Sequence, residues 1–219
     1  IFDVDRLDGV PWLAMEYVAG VPLSSLLVDP PLVPPAVTAR ILAEACRGLH
    51  AAHDLKDSEG RLLKVVHRDI SPDNLVLGFD GHVKVLDFGI ALVRDRQQPV
   101  TQVGQINGKL VYMSPEQIRG DPVDRRTDVY ALGVVLLELL SGRRAFGRAE
   151  AFGALAHKPR RIVLPSATAG PMPEGLEEAM LQALDDVADR RWATALEFSE
   201  ALEAIASRAG APSLERFAA

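Results

Sequence analysis

A single cysteine, Cys46, in 219 residues excludes an internal disulfide framework and suits a reducing compartment. Basic charge is in short supply as well. With a net charge of -6 there is no cationic stripe to follow a phosphate backbone, so nucleic acid and anionic membrane are excluded as primary partners. Long apolar runs are missing too: the longest, Val129 to Leu140, covers 12 positions and contains Glu138. A membrane span needs roughly 20 apolar residues, so this stretch reads as a buried helix. No secretory leader is visible, and the chain opens on Ile1 rather than methionine, as expected of a piece of a longer protein. The expected location is cytoplasmic, with a tether outside this segment left open. Internal repeats and low-complexity tracts are absent.

What is present is enough for a core, since 48% of the residues are hydrophobic. Ile1–Asp5 and Val10–Val18 flank Asp8-Gly9, which predicts two antiparallel strands joined by a tight turn. After the proline-rich stretch Pro30 to Pro35, the residues Val37, Ile41, Ala45 and Leu49 recur at steps of four, the stripe of an amphipathic helix opened by proline. Leu75-Val76-Leu77 and Val83 to Leu86 bracket Asp80-Gly81 and predict a second hairpin. Val129 to Leu140 is apolar on nearly every face, which predicts a central core helix stopped by Gly142. The stretch from Lys158 to Pro173 reads as a long loop. Two closing helices follow, Leu176 to Leu184 and one opened by Thr194 with Glu197 in capping-box spacing.

Chemistry concentrates at the two ends of the second hairpin. His67-Arg68-Asp69-Ile70-Ser71-Pro72-Asp73-Asn74 precedes it; Asp87-Phe88-Gly89 follows, thirteen residues after Asn74; Ser114-Pro115-Glu116 comes later. Each motif alone has an ordinary structural explanation, as a turn tripeptide or a surface ion-pair cluster. In this order and spacing they resemble the protein kinase family, and the likeness runs from about Pro11 to about Ala206. Phosphoryl transfer asks mainly for positioning and charge neutralisation, which hard oxygen ligands held by one tight hairpin supply.

The resemblance implies an α+β, protein-kinase-like fold: a mainly helical C-lobe with a short catalytic-loop hairpin, and two remnant strands of the N-lobe. Residues 1–18 would be the N-lobe remnant and hinge, 19–208 the C-lobe and 209–219 a C-terminal tail. It implies a protein serine/threonine kinase using ATP and Mg2+, with Mn2+ as an alternative metal, acting on protein substrates and able to dimerise for autophosphorylation. Asp69 would be the base, Asn74 and Asp87 the magnesium ligands. In the hinge, Met15 would be the gatekeeper, the backbones of Glu16 and Val18 would meet adenine, and Val76 would floor its pocket; an ordinary edge strand is the alternative for this segment. Asp128 matches the aspartate that accepts hydrogen bonds from the catalytic-loop backbone, or is a helix N-cap. Arg190 matches the late arginine that pairs with Glu116, with Arg191 beside it as the alternative.

Two positions depart from the family pattern. Ser71 stands where most serine/threonine members carry lysine, and Lys109 follows Gly108 where threonine is usual. The expectation is that the Lys109 ammonium restores the lost charge near Asp69; a solvated loop lysine is the alternative. Thr101 is the one hydroxyl-bearing residue between Ile90 and Val111 and the expected phosphorylation site, with Arg68 its partner; an unregulated loop residue is the alternative. No lysine precedes Lys56 and only fourteen residues precede Met15, so the glycine-rich loop and ATP-contacting lysine are not in this chain, which by itself is expected to be inactive. A half-kinase or pseudokinase docking scaffold and a small-molecule kinase of the same fold are the competing readings.

Overall fold

The structure is a computed structural model that describes residues 3–7, 10–28, 31, 33–88, 109–146 and 162–218. Strands β1 (Asp3–Leu7) and β2 (Val10–Ala14) pair antiparallel with Asp3 opposite Ala14. The sequence predicts a strand as far as Val18, but β2 is shorter: Met15 to Ala19 carry on without strand pairing. A separate three-stranded sheet follows in the order β3 (Gly20–Pro22), β4 (Leu75–Gly78), β5 (Val83–Val85), all antiparallel. Glycine is required at the start of β3: a Cβ on Gly20 would lie 2.3 Å from the Leu77 carbonyl oxygen.

The helical part is built on α1 (Pro35–His53) and α3 (Arg126–Ser141), with the short α2 (Pro115–Arg119) before α3. Pro35 sits at the first helical position of α1, where the missing N–H costs nothing. Every residue of α3 from Thr127 to Leu140 is buried, as expected of a helix apolar all round, and Gly142 ends it in the left-handed conformation (φ 69°). Around it pack α4 (Leu176–Ala183) and α5 (Ala195–Arg208). Thr194 caps α5 by accepting from the Glu197 amide (3.1 Å), while the Glu197 carboxylate takes the Ala193 amide (3.2 Å) rather than that of Thr194. The segment expected to be a tail contains a further helix, α6 (Leu214–Ala218), whose Leu214 is buried. Five residues nucleate no helix alone, so burial of that leucine holds what no local pattern announces. Among the described residues no helix is long and apolar enough to cross a membrane.

Candidate active site

Asp128, in the first turn of α3, is fully buried, and its carboxylate decides the shape of the loop ahead of β4. It accepts hydrogen bonds from the backbone amides of His67 (2.8 Å) and Arg68 (2.8 Å) and from His53 Nε2 (2.8 Å). The N-cap of α3 is Arg125, so the carboxylate does not cap its own helix. Arg68 has φ +66°, a conformation unfavourable for a side-chain-bearing residue, and its own amide and that of His67 are held by that buried acceptor. Gln117 of α2 adds a bond from Nε2 to the Arg68 carbonyl (3.0 Å).

His67 joins the loop to the segment after β5. The Leu86 carbonyl can only accept, so His67 Nε2 carries the proton it shares with that oxygen (2.8 Å), and Nδ1 accepts from the Asp69 amide (3.3 Å). The ring also packs on Phe88, with centroids 4.6 Å apart. Asn74 closes the 3-10 turn Pro72–Asn74, and its Nδ2 donates to the Asp69 carbonyl (2.7 Å) and to Asp69 Oδ2 (3.3 Å). With the amide's donor end committed to Asp69, its oxygen is the end left to meet a cation. The Leu86 amide donates to the Asn74 carbonyl (2.8 Å), so the base of the hairpin holds Asn74 next to the residue preceding Asp87. Asp87 itself has φ +52°, a second strained position at the same place.

Among the described residues no three His, Cys, Asp or Glu side chains form a ready-made cation cage. The donors at the hairpin base are instead one amide oxygen and one carboxylate. That sparse, hard-oxygen set fits magnesium, which keeps waters and phosphate oxygens for most of its ligands. Ser71 is buried, and its carbonyl accepts from the Asn74 amide (3.0 Å). Lys109 begins the 3-10 turn Lys109–Val111, but its side chain lies outside the described residues, as does Thr101.

Of the residues expected to border adenine, Met15 and Glu16 are exposed and Val18 is half-buried, whereas Val76 is buried in the middle strand of the sheet. The Glu16 carboxylate lies 3.5 Å from Lys84 Nζ, and Lys84 is the β5 partner of Val76. One contact thus brings the segment expected to be the hinge to the sheet that carries the expected adenine floor.

Downstream, Ser114 and Gln117 form a capping box at α2, and Glu116 turns inward. Its partner is Arg191, not Arg190 as the motif spacing predicts. Arg191 Nη1 and Nη2 lie 2.7 and 2.8 Å from the two carboxylate oxygens, and Thr127 Oγ1 donates to Oε1 (2.8 Å). The offset has a geometric cause. Ala188–Arg190 is a 3-10 turn, in which successive side chains point about 120° apart, so Arg190 faces solvent and the next residue faces in. There the guanidinium also covers the Tyr130 ring (4.9 Å) and bonds the Asp185 carbonyl (2.7 Å). Burial opposes ionisation of Glu116, but the hydrogen bonds and charge of Arg191 outweigh it and hold the carboxyl at about 2.

Sequence reasoning missed His53 and Glu138. Both left a signal: His53 extends the apolar stripe of Ile41, Ala45 and Leu49 by one more step of four, and Glu138 is the lone charge in the apolar run Val129 to Leu140. Glu138 is fully buried and accepts from Tyr112 Oη (2.7 Å) and the Ala145 amide (3.0 Å).

Comparison with known proteins matches residues 4–203 to the protein kinase domain. The chain is 42% identical over 210 residues to the tyrosine-protein kinase MasK of Myxococcus xanthus (strain DK1622), covering 91% of this chain and 32% of that protein. It is 40% identical over 208 residues to the serine/threonine-protein kinase Pkn1 of Myxococcus xanthus, covering 93% and 29%. Among solved structures, the Mycobacterium tuberculosis PknI kinase domain superposes with a TM-score of 0.69 at 27% identity, over 94% of this chain and 70% of that one. The chain therefore spans about a third of the length of the curated relatives it matches.

Proposed function

The chain belongs to the protein kinase family, and from that premise we propose that it carries the catalytic lobe of an enzyme transferring the ATP γ-phosphoryl group to serine or threonine hydroxyls of proteins. The observation that carries this reading is the linkage at the hairpin base: Asn74 bonds Asp69 through its side chain and holds the Leu86–Asp87 segment through its backbone. In the transfer, the acceptor oxygen forms a bond to phosphorus, the bond from phosphorus to the ADP oxygen breaks, and the hydroxyl proton passes to the Asp69 carboxylate. Asn74 orients that carboxylate through its Nδ2. Bound Mg2+, held by the Asn74 and Asp87 oxygens, would neutralise charge on the phosphates. His67 and Asp128 fix the loop, so the oxygens need no rearrangement at the moment of reaction.

Several finer assignments belong to the same proposal. Met15, Glu16, Val18 and Val76 border adenine; Lys109 supplies the cation that Ser71 does not; phosphorylated Thr101 pairs with Arg68; the enzyme works in the cytoplasm. The glycine-rich loop and ATP-contacting lysine are not among these residues, so the chain alone does not turn over and a longer protein does. A tyrosine acceptor is the second reading. It is favoured by Ser71 at the usual lysine position and by the likeness to a relative named as a tyrosine kinase.

The test is transfer from radiolabelled ATP by the full-length protein, followed by phosphoamino-acid analysis. Asp69→Asn and Asp87→Asn are each expected to lower turnover about 10³-fold or more with an unchanged melting temperature, and Lys109→Ala about tenfold or more. Wild-type rates in both aspartate variants would overturn the roles given to Asp69 and Asp87, and no transfer by the wild-type full-length protein would favour a docking scaffold. Label on tyrosine alone would select the second reading.

A further inference from the structure

The hairpin β4–β5 carries the proposed metal ligands at its base, and its far end is gripped by the last helix of the chain. Gly81, at the turn, has φ +81°, and a Cβ there would lie 2.4 Å from the Glu215 amide nitrogen and 2.8 Å from its Cα. The backbone of α6 therefore rests directly on the turn. On the opposite side the turn is held by the Phe79 amide, which donates to the Ala19 carbonyl (3.0 Å). Within the turn, the Gly78 amide bonds the His82 carbonyl (2.8 Å) and Asp80 Oδ1 accepts from the His82 amide (3.0 Å).

The seat of α6 is built from the rest of the lobe. Leu214 is buried in the core and Phe217 packs against it. Arg40 of α1 donates from Nη1 to the carbonyls of Ala211 (2.6 Å) and Pro212 (2.7 Å), and from Nη2 to Glu203 (2.9 Å) and Ser207 (3.0 Å) on α5. One guanidinium thus ties two long helices to the segment that leads into α6. Beside this seam lies a cavity of about 390 Å³ bordered by polar and charged side chains, among them Arg47, His82 and Glu215. Leu214, Phe217 and the Arg40 bonds hold the helix.

We infer that residues 211–218 are a positioning element for the catalytic hairpin: α6, seated by Leu214 and Arg40, presses on Gly81 and thereby sets Asn74 and Asp87. A short hairpin is marginal without packing, so clamping its turn restricts its base, where the Leu86 amide holds the Asn74 carbonyl. Arg40, Gly81 and Leu214 are positioning residues in this role; none carries the chemistry. The inference rests on the catalytic reading only for its effect on turnover; the mechanical coupling stands apart from it.

Hydrogen exchange on the full-length protein tests it, with Arg40→Gln and Leu214→Ala as separate variants. Arg40→Gln removes the bonds to Ala211 and Pro212, while Leu214→Ala leaves α1 and α5 unaltered. Both are expected to speed amide exchange across 75–86 about tenfold, alongside faster exchange of 211–218. The Mg2+ concentration for half-maximal rate should rise several-fold while the KM for a protein substrate stays unchanged. Release of 211–218 with wild-type protection across 75–86 would overturn the coupling. Accelerated exchange in a protein whose Asp87→Asn variant keeps full activity would instead leave the coupling standing and overturn the catalytic reading.

Discussion

Buried carboxylates set the geometry of this lobe at single positions, and each is matched to its donors. Glu116 is the clearest case, because two adjacent arginines compete for it in the sequence and only one reaches it. Arg191→Ala strands a buried carboxylate and is expected to cost about 3–5 kcal/mol in a urea titration. Arg190→Ala, at an exposed position, should leave the unfolding midpoint unchanged. The pH dependence follows from the same pair. The folded Glu116 carboxyl sits at about 2 against an ordinary value of 4.5, so its stabilisation is fully present above about pH 4.5 and is lost as pH falls toward 2. Denaturation midpoints between pH 2 and 5 should fall steeply in the wild type and more shallowly in Arg191→Ala. The placement of Asp69 and Asn74 beside the residue preceding Asp87 was legible, because the motifs stand at the two ends of one short hairpin. The Arg190/Arg191 choice was not, since it turns on which way a 3-10 turn points its last side chain.

At the scale of elements, patterns that repeat inside one segment read well. The step-of-four stripe of α1, the all-apolar α3 and the Asp80-Gly81 turn each become the element their periodicity implies. Elements decided by a partner read less well: β2 is shorter than its sequence suggests, and α6 forms because Leu214 is buried in the core. The β3–β4 contact shows how tightly such partnership can constrain a residue. Any side chain on Gly20 must displace Leu77 and Gly78 backbone, so Gly20→Ala is expected to cost about 1–3 kcal/mol and to raise exchange of the β4 amides. Unchanged protection at 75–78 would show that β3 shifts without disturbing β4.

For the molecule as a whole, a well-packed helical lobe is accompanied by apolar side chains that stand in solvent on and just after the β1–β2 hairpin. Leu7, Trp12, Met15 and Tyr17 are all exposed, with Tyr17 at 88%. An apolar patch of this kind binds hydrophobic dyes and promotes association. The isolated chain should enhance the fluorescence of such a dye, and Trp12→Gln with Tyr17→Ser should reduce the signal without lowering the melting temperature; an unaltered signal would place the binding elsewhere. The sequence by itself determined the family, the α+β class and the three residues offered for chemistry, because catalysis and helix periodicity are written in residue type and local spacing. Only the tertiary structure decided which arginine neutralises Glu116, that His53 joins Asp128, and that the last helix rests on the β4–β5 turn. These are contacts between residues far apart in the chain, settled by the direction in which each side chain or backbone segment faces once the lobe has packed.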